Sequence, residues 1–209
     1  QTEMVEIPTG LRKATKGQVL VNGSDVCNRP PRVGFDHGVS SIPADRQKHG
    51  LVLEFTVAEN MILQNFREPA FSHHGLLDKP AIQAHAEEAV KKYDIRPADS
   101  AQRPVGTLSG GNQQKVIIAR EVTNDKDLLI AVNPTRGLDV GAIEYVHRYL
   151  VEQRNKGKAV LLVSFELDEI LNLSDRIDTI YDGRIVGSMR GDEADENTLG
   201  LMMAGGKKA

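Results

Sequence analysis

Tryptophan is absent from this chain of 209 residues, and aromatic residues make up only 4% of it. A core built from such a sequence must be aliphatic. A single cysteine, Cys27, excludes an internal disulfide and suits a reducing compartment. Long apolar runs are missing too. The longest largely apolar stretch, AVLLVSF over residues 159–165, is far too short to span a bilayer, which takes about 20 residues. No signal-peptide pattern is present, so any membrane contact would come through a partner. There is no basic excess: 26 Lys and Arg stand against 29 Asp and Glu, for a net charge of −3. With no basic stripe either, a nucleic-acid partner is not expected. What remains is 40% hydrophobic and 26% charged, ample for one globular domain. The chain opens at Gln1 and its first methionine is Met4, so the sequence reads as part of a longer polypeptide.

Local signals divide the chain into elements. Gln18–Val21 followed by Asn22-Gly23 predicts a short β hairpin, and Val39–Ile42 a strand stopped by Pro43. Thr56 with Glu59 three residues later forms a capping box for a helix running through VAENMILQNF. FSHHGLLDKP reads as a loop. Asp78 can cap the next helix, Pro80 suits its first turn, and Ile82, Ala86, Val90 and Tyr93 form its apolar stripe. Another helix starts after Ser109. Beyond it, the buried strands DLLIAV and AVLLVSF alternate with helices, and RIDTIYDGRIVGSM forms a hairpin turned at Asp182-Gly183. Fully apolar strands separated by helices predict an α/β fold with a parallel sheet covered on both faces. The acidic tail reads as a solvated linker with one short helix.

The segment LSGGNQQK, Leu108 to Lys115, carries the chemistry. Ser109 caps a helix whose first turn holds Gly110 and Gly111. Their exposed N–H groups and the helix dipole make an anion site, for which a phosphate is the natural guest. A lone SGG would be an ordinary helix start. Here the helix VIIAREVTN, a buried strand and PTRGLD follow in order.

That ordered set resembles the ATP-binding subunits of ABC transporters, over essentially the whole chain. Leu108, Ser109, Gly110, Gly111, Asn112 and Gln113 match the family signature LSGGxQ. Asp127–Asn133 falls on the Walker B strand, Gly137, Leu138 and Asp139 on the D-loop, and Leu162–Phe165 on the strand leading to the switch. LSGGNQQK with PTRGLDVGA is similar to the importers of ribose-type sugars and nucleosides, in which two ATP-binding domains are fused. IPADRQKHGLVLEFTVAEN and GAIEYVHRYL resemble the second, C-terminal domain of the nucleoside branch. The resemblance implies a P-loop NTPase fold lacking its phosphate-loop strand. It divides into a core at residues 1–52 and 123–209 with a small β layer, and a helical signature sub-domain at 53–122.

Against the family's pattern, the polar groups of the chain's own nucleotide site are missing. The phosphate-loop pair Lys-Ser/Thr falls on Gln1 and Thr2, unless these only begin a helix. The Walker B Asp is Val132, the catalytic Glu is Asn133, the switch His is Phe165, and the Q-loop glutamine falls at Ala44, next to Asp45 and Arg46. Asn can hydrogen-bond a water but cannot take its proton. Each such group contributes on the order of 10²-fold to rate or more, so negligible hydrolysis is expected at this site. The signature is intact. In this family two domains face head to tail, each ATP lying between one domain's phosphate loop and the other's signature. The expected partner is therefore the N-terminal ATP-binding domain of the same polypeptide. ATP and Mg²⁺ belong to that shared site, with none held tightly by this chain alone. Transmembrane permease subunits, and indirectly a substrate-binding protein, complete the expected partners, with the chain peripheral on the inner, cytoplasmic face of the membrane.

Other features have plainer readings beside the functional ones. Asp139 either crosses a domain interface or caps a helix; Arg46, Lys48 and His49 either lie close to the permease or in a solvated loop. His73-His74 lacks ligands at metal spacing, and no metal is expected. Leu201-Met202-Met203 reads as packing, and Glu166, Asp168 and Glu169 as favourable charge in a helix's first turn. The alternatives are a self-sufficient transport ATPase domain, against which Val132 and Asn133 argue, and a non-transport ABC ATPase, against which the lack of heptads and basic linkers argues.

Overall fold

The structure, a computed structural model, describes residues 2–206. In order the chain forms α1 (Thr2–Glu6), the hairpin β1 (Leu20–Val21) and β2 (Ser24–Asp25), α2 (Pro31–Asp36), β3 (Val39–Ile42), α3 (Val57–Met61), the hairpin β4 (Ser72–His73) and β5 (Leu76–Leu77), α4 (Lys79–Lys92), α5 (Gly110–Thr123), β6 (Leu128–Val132), α6 (Val140–Asn155), β7 (Ala159–Val163), α7 (Leu167–Leu173), the hairpin β8 (Arg176–Tyr181) and β9 (Arg184–Arg190), and α8 (Glu196–Met203).

The organising strand is β6. Its sequence LLIAV offers water nothing, and it is stable only with cover on both faces. Successive side chains alternate. Leu129 and Ala131 join a large cluster with Val116 and Ile117 of α5 and Val146 and Leu150 of α6. Ile130 and Val132 join a second, smaller cluster with Val5 of α1, Val21, Val26, Val39 and Val163. Burying a side chain such as Ile130 contributes roughly 2 kcal/mol. β6 runs parallel between β3 and β7, with Leu129 opposite Ser40 and Val160. The α/β architecture with a parallel sheet flanked by helices is therefore the one the alternating pattern predicts.

Capping residues fix where the helices begin. Thr56 and Glu59 make the complete capping box, Asp78 accepts from the amide of Ala81, and Asp139 from that of Ala142. Ile82, Ala86, Val90 and Tyr93 are all buried, as the stripe requires.

Three elements depart from the sequence reading. The helix expected through Phe66 stops at Met61; beyond it, Leu63, Asn65 and Glu68 bond carbonyls three residues back, so the chain tightens into successive turns. The segment read as a loop contains β4 and β5, joined at His74 and Gly75, both with positive φ as a tight hairpin turn requires. AVLLV, read as fully buried, is only half-buried at Val160–Leu162 and exposed at Ala159. The cause is its place: β7 ends the three-stranded sheet, and among the described residues no strand pairs with its outer edge. Helix α2 had no clear forecast, although Pro31 sits in its first turn, where a missing N–H costs nothing.

Candidate functional site

The site is built where the N-terminus of α5 meets the turn after β6. Ser109 is exposed and caps α5. Its Oγ accepts from the Asn112 backbone at 3.4 Å and from Asn112 Nδ2 at 2.9 Å. With both acceptor positions used, the remaining hydrogen-bonding capacity of the hydroxyl is its own O–H donor. The Gly110 and Gly111 amides, as first-turn donors, have no carbonyl within the helix to bond. The helix tip therefore presents three donors and the positive end of a 14-residue helix, a donor set that fits a phosphate.

The rest of LSGGNQQK anchors that tip. Leu108 is buried. Asn112 Oδ1 accepts from the Arg96 amide at 2.8 Å. Gln113, 2% exposed, donates to Leu108 O at 3.1 Å and accepts from Gln47 Nε2 at 3.1 Å. Gln114 donates to Pro134 O at 2.8 Å, joining the helix to the turn after β6. Lys115 Nζ reaches Asp94 Oδ2 at 3.1 Å; with Arg96 it holds the Asp94 carboxyl below the usual carboxylate range. The ties of Gln47 and Gln114 were not foreseen. Their signal was present: a Gln-Gln pair opening an otherwise apolar helix can be kept only if the buried amides find partners.

The strand end opposite is neutral. Val132 is packed in the apolar layer against Val39 and Val163. Asn133 takes a positive φ of 43°; its N–H bonds Val163 O at 2.7 Å, and its Oδ1 accepts from the Phe165 amide at 3.2 Å. Asn133 thus stitches the end of β6 to the end of β7. Phe165 is 64% exposed. Thr2 is an exposed residue at the start of α1, and Gln1 lies outside the described residues. Ala44 is exposed. Asp45 caps the π-helical turn Arg46–Gly50, and the Lys48 and Gln47 amides hold its carboxyl below the usual range. Gly137 turns the D-loop segment at φ 68°, and Leu138 N bonds Thr135 O. Asp139 caps α6, with its Oδ2 3.8 Å from the position of a Cβ on Gly111. The tip of α5 and the turn at 137–139 therefore lie against each other.

One plainer reading needs correction and another gains detail. Of the loop trio, Lys48 and His49 are exposed, but Arg46 turns inward and donates from Nη1 to Arg136 O at 2.9 Å. Glu169 sits in the first turn of α7, as read, and is buried there. It is 3% exposed and lies 2.9 Å from His147 Nε2 on α6. Of the Leu201–Met203 stripe, only Met202 is buried. Among the described residues, no group of three or more His, Cys, Asp or Glu could hold a metal.

The sequence pattern of the ABC transporter family matches residues 2–136. The chain belongs to the ABC transporter family. It is 51% identical to the guanosine import ATP-binding protein NupO of Bacillus subtilis, over 98% of this chain and 40% of that protein. Against the nucleoside import ATP-binding protein NupA of Lactococcus lactis the identity is 49%, over 99% of this chain and 40% of that one. The glucose import ATP-binding protein TsgD13 of Haloferax volcanii is 43% identical over the whole of this chain and 38% of its own length. The chain spans about two fifths of the length of these curated relatives. In fold it is similar to MJ1267, an ATP-binding cassette of an ABC transporter, with a TM-score of 0.77 at 22% identity over 98% of this chain and 82% of that one. A dimeric structure of the cassette MJ0796 gives 0.73 at 24% identity, over 90% and 79%. The P-loop NTPase fold of this ABC transporter chain is thereby established.

The family binds ATP with Mg²⁺. The donors at the tip of α5 fit a phosphate. The end of β6 does not fit Mg²⁺: it offers no carboxylate, Val132 has no ligand atom in its side chain, and Asn133 supplies only a neutral amide oxygen that already accepts from Phe165 N–H.

Proposed function

We propose that this chain is the second, C-terminal ATP-binding half of an importer for nucleosides or simple sugars. In this reading its own Walker site is degenerate, and it supplies Ser109, Gly110 and Gly111 to a triphosphate held by the N-terminal ATP-binding domain of the same polypeptide. Ser109 Oγ–H and the two glycine amides bind the terminal phosphate. Asp139 of the D-loop reaches toward the same partner. The chain sits peripherally on the cytoplasmic face of the membrane. Its helical sub-domain, residues 53–122, passes closure to the permease subunits, which with a substrate-binding protein select the solute.

One asymmetry carries the reading. The helix tip keeps its full donor set, while the strand end has lost every carboxylate and spends Asn133 internally. Two further facts support it. The chain covers about two fifths of relatives named as import ATP-binding proteins, which leaves those proteins room for another such domain. The outer edge of β7 is unpaired among the described residues, so a phosphate-loop strand has a place to pair.

The test is Ser109→Arg in the full-length protein. A bulky cation in place of the hydroxyl is expected to abolish ATP-driven uptake, measured with radiolabelled solute in vesicles. Undiminished uptake would contradict the reading.

A further inference from the structure

The guanidinium of Arg46 lies where three segments of the site converge, and nothing in the function proposed above uses it. It leaves the π-helical turn that follows β3 and crosses to the far side of the site. Nη1 donates to the backbone carbonyl of Arg136, the residue before Gly137, at 2.9 Å. Nη2 lies 2.8 Å from where a Cβ on Gly110 would sit and 3.9 Å from the same position on Gly137. Nε is buried. Its neighbour Gln47 holds Gln113 in the first turn of α5. One dipeptide therefore touches the signature tip and the D-loop turn together.

A Cβ on Gly110 would stand 2.8 Å from Nη2, so a side chain there would displace the tip of the guanidinium. The planar fork suits the task. It can bond one carbonyl through Nη1 while Nη2 sits against Gly110, whereas an ammonium is a point donor and could not do both.

We infer that Arg46 is a positioning residue for the shared nucleotide site: it fixes the D-loop turn against the tip of α5, so that the donors at 109–111 and Asp139 meet the partner domain's triphosphate in one preset geometry. The inference rests on the shared-site reading. Without the fork, the two segments must be ordered on each closure, and that cost appears as weaker apparent ATP binding.

The experiment uses the full-length transporter. Arg46→Ala is expected to raise the KM for ATP about tenfold with a smaller change in kcat. Arg46→Lys, which keeps the charge but not the fork, is expected not to restore it. In the same proteins, hydrogen exchange of the amides at 136–139 is expected to quicken about fivefold, while those of β6 keep their protection. The inference is overturned by an unchanged KM, by unchanged exchange at 136–139, or by full recovery in Arg46→Lys, which would mean that charge alone suffices. If Arg46→Ala does not fold, Arg46→Lys alone carries the same comparison. Failure of the underlying reading looks different: Ser109→Arg would then transport normally, whereas failure of this inference alone leaves Ser109→Arg inactive and Arg46→Ala normal.

Discussion

On the reading proposed here, Asn133 stands where a transport ATPase of this family would keep its catalytic carboxylate, and its side chain has another task. Its Oδ1 accepts the Phe165 amide, and its backbone holds a positive φ that asparagine tolerates better than most residues. Two consequences follow at this scale. Asn133→Ala loses the hydrogen bond and strains the backbone, together about 2 kcal/mol of stability. Asn133→Gly loses the bond alone and is expected to cost about 1 kcal/mol. Both are expected to leave ATP-driven uptake near normal. Urea midpoints of the two variants, set against uptake rates, check this. The position is structural, and its loss should register in stability and not in transport.

At the scale of elements, α5 is held by more than its apolar face. Arg120 and Glu121, 4% and 1% exposed, form a buried ion pair near its C-terminal end. Arg120 also donates to Gly50 O, and Glu121 accepts from Ser41 N of β3 and from Gln64 Nε2 beyond α3. Signature helix, sheet and helical region therefore meet at one satisfied network. Removing a single partner strands a buried charge, so Glu121→Ala is expected to lower stability by about 3–5 kcal/mol, read from chemical denaturation. Helix α4 carries a pH dependence. Burial against the edge of Phe71, outweighing Glu88 and Glu68, pushes the His85 imidazole below its ordinary pKa. A depressed folded pKa means the neutral form is favoured by folding. The contribution is complete above the unfolded value of about 6.5 and is lost as pH falls through the lower folded value. His85→Leu is expected to flatten the slope of stability against pH in that window; an unaltered slope would contradict the assignment.

For the whole molecule, the legible part of the sequence was the part written in local chemistry. Thr56, Asp78, Ser109 and Asp139 announced helix starts, and the apolar strands announced a parallel sheet, because capping and alternation act over a few residues. The segment LSGGNQQK was readable as a capped helix start for the same reason. What stayed hidden were ties between distant segments. Arg46 bonds a carbonyl 90 positions away, and Glu169 is buried under a histidine 22 positions before it. No local pattern distinguishes such residues from solvated charges. The half-exposure of β7 was hidden as well, since the composition of a strand does not reveal whether both of its edges are paired.

The central claim is a division of labour between two lobes, and one measurement bears on it most directly. The catalytic carboxylate of the N-terminal domain would be replaced by its amide in the full-length transporter, leaving residues 1–209 untouched, and steady-state ATP hydrolysis followed. The account predicts that turnover falls to background, because neither Val132 nor Asn133 can replace what was removed. Hydrolysis persisting at a substantial fraction of the unmodified rate would mean that this lobe turns over ATP by itself, and would contradict it.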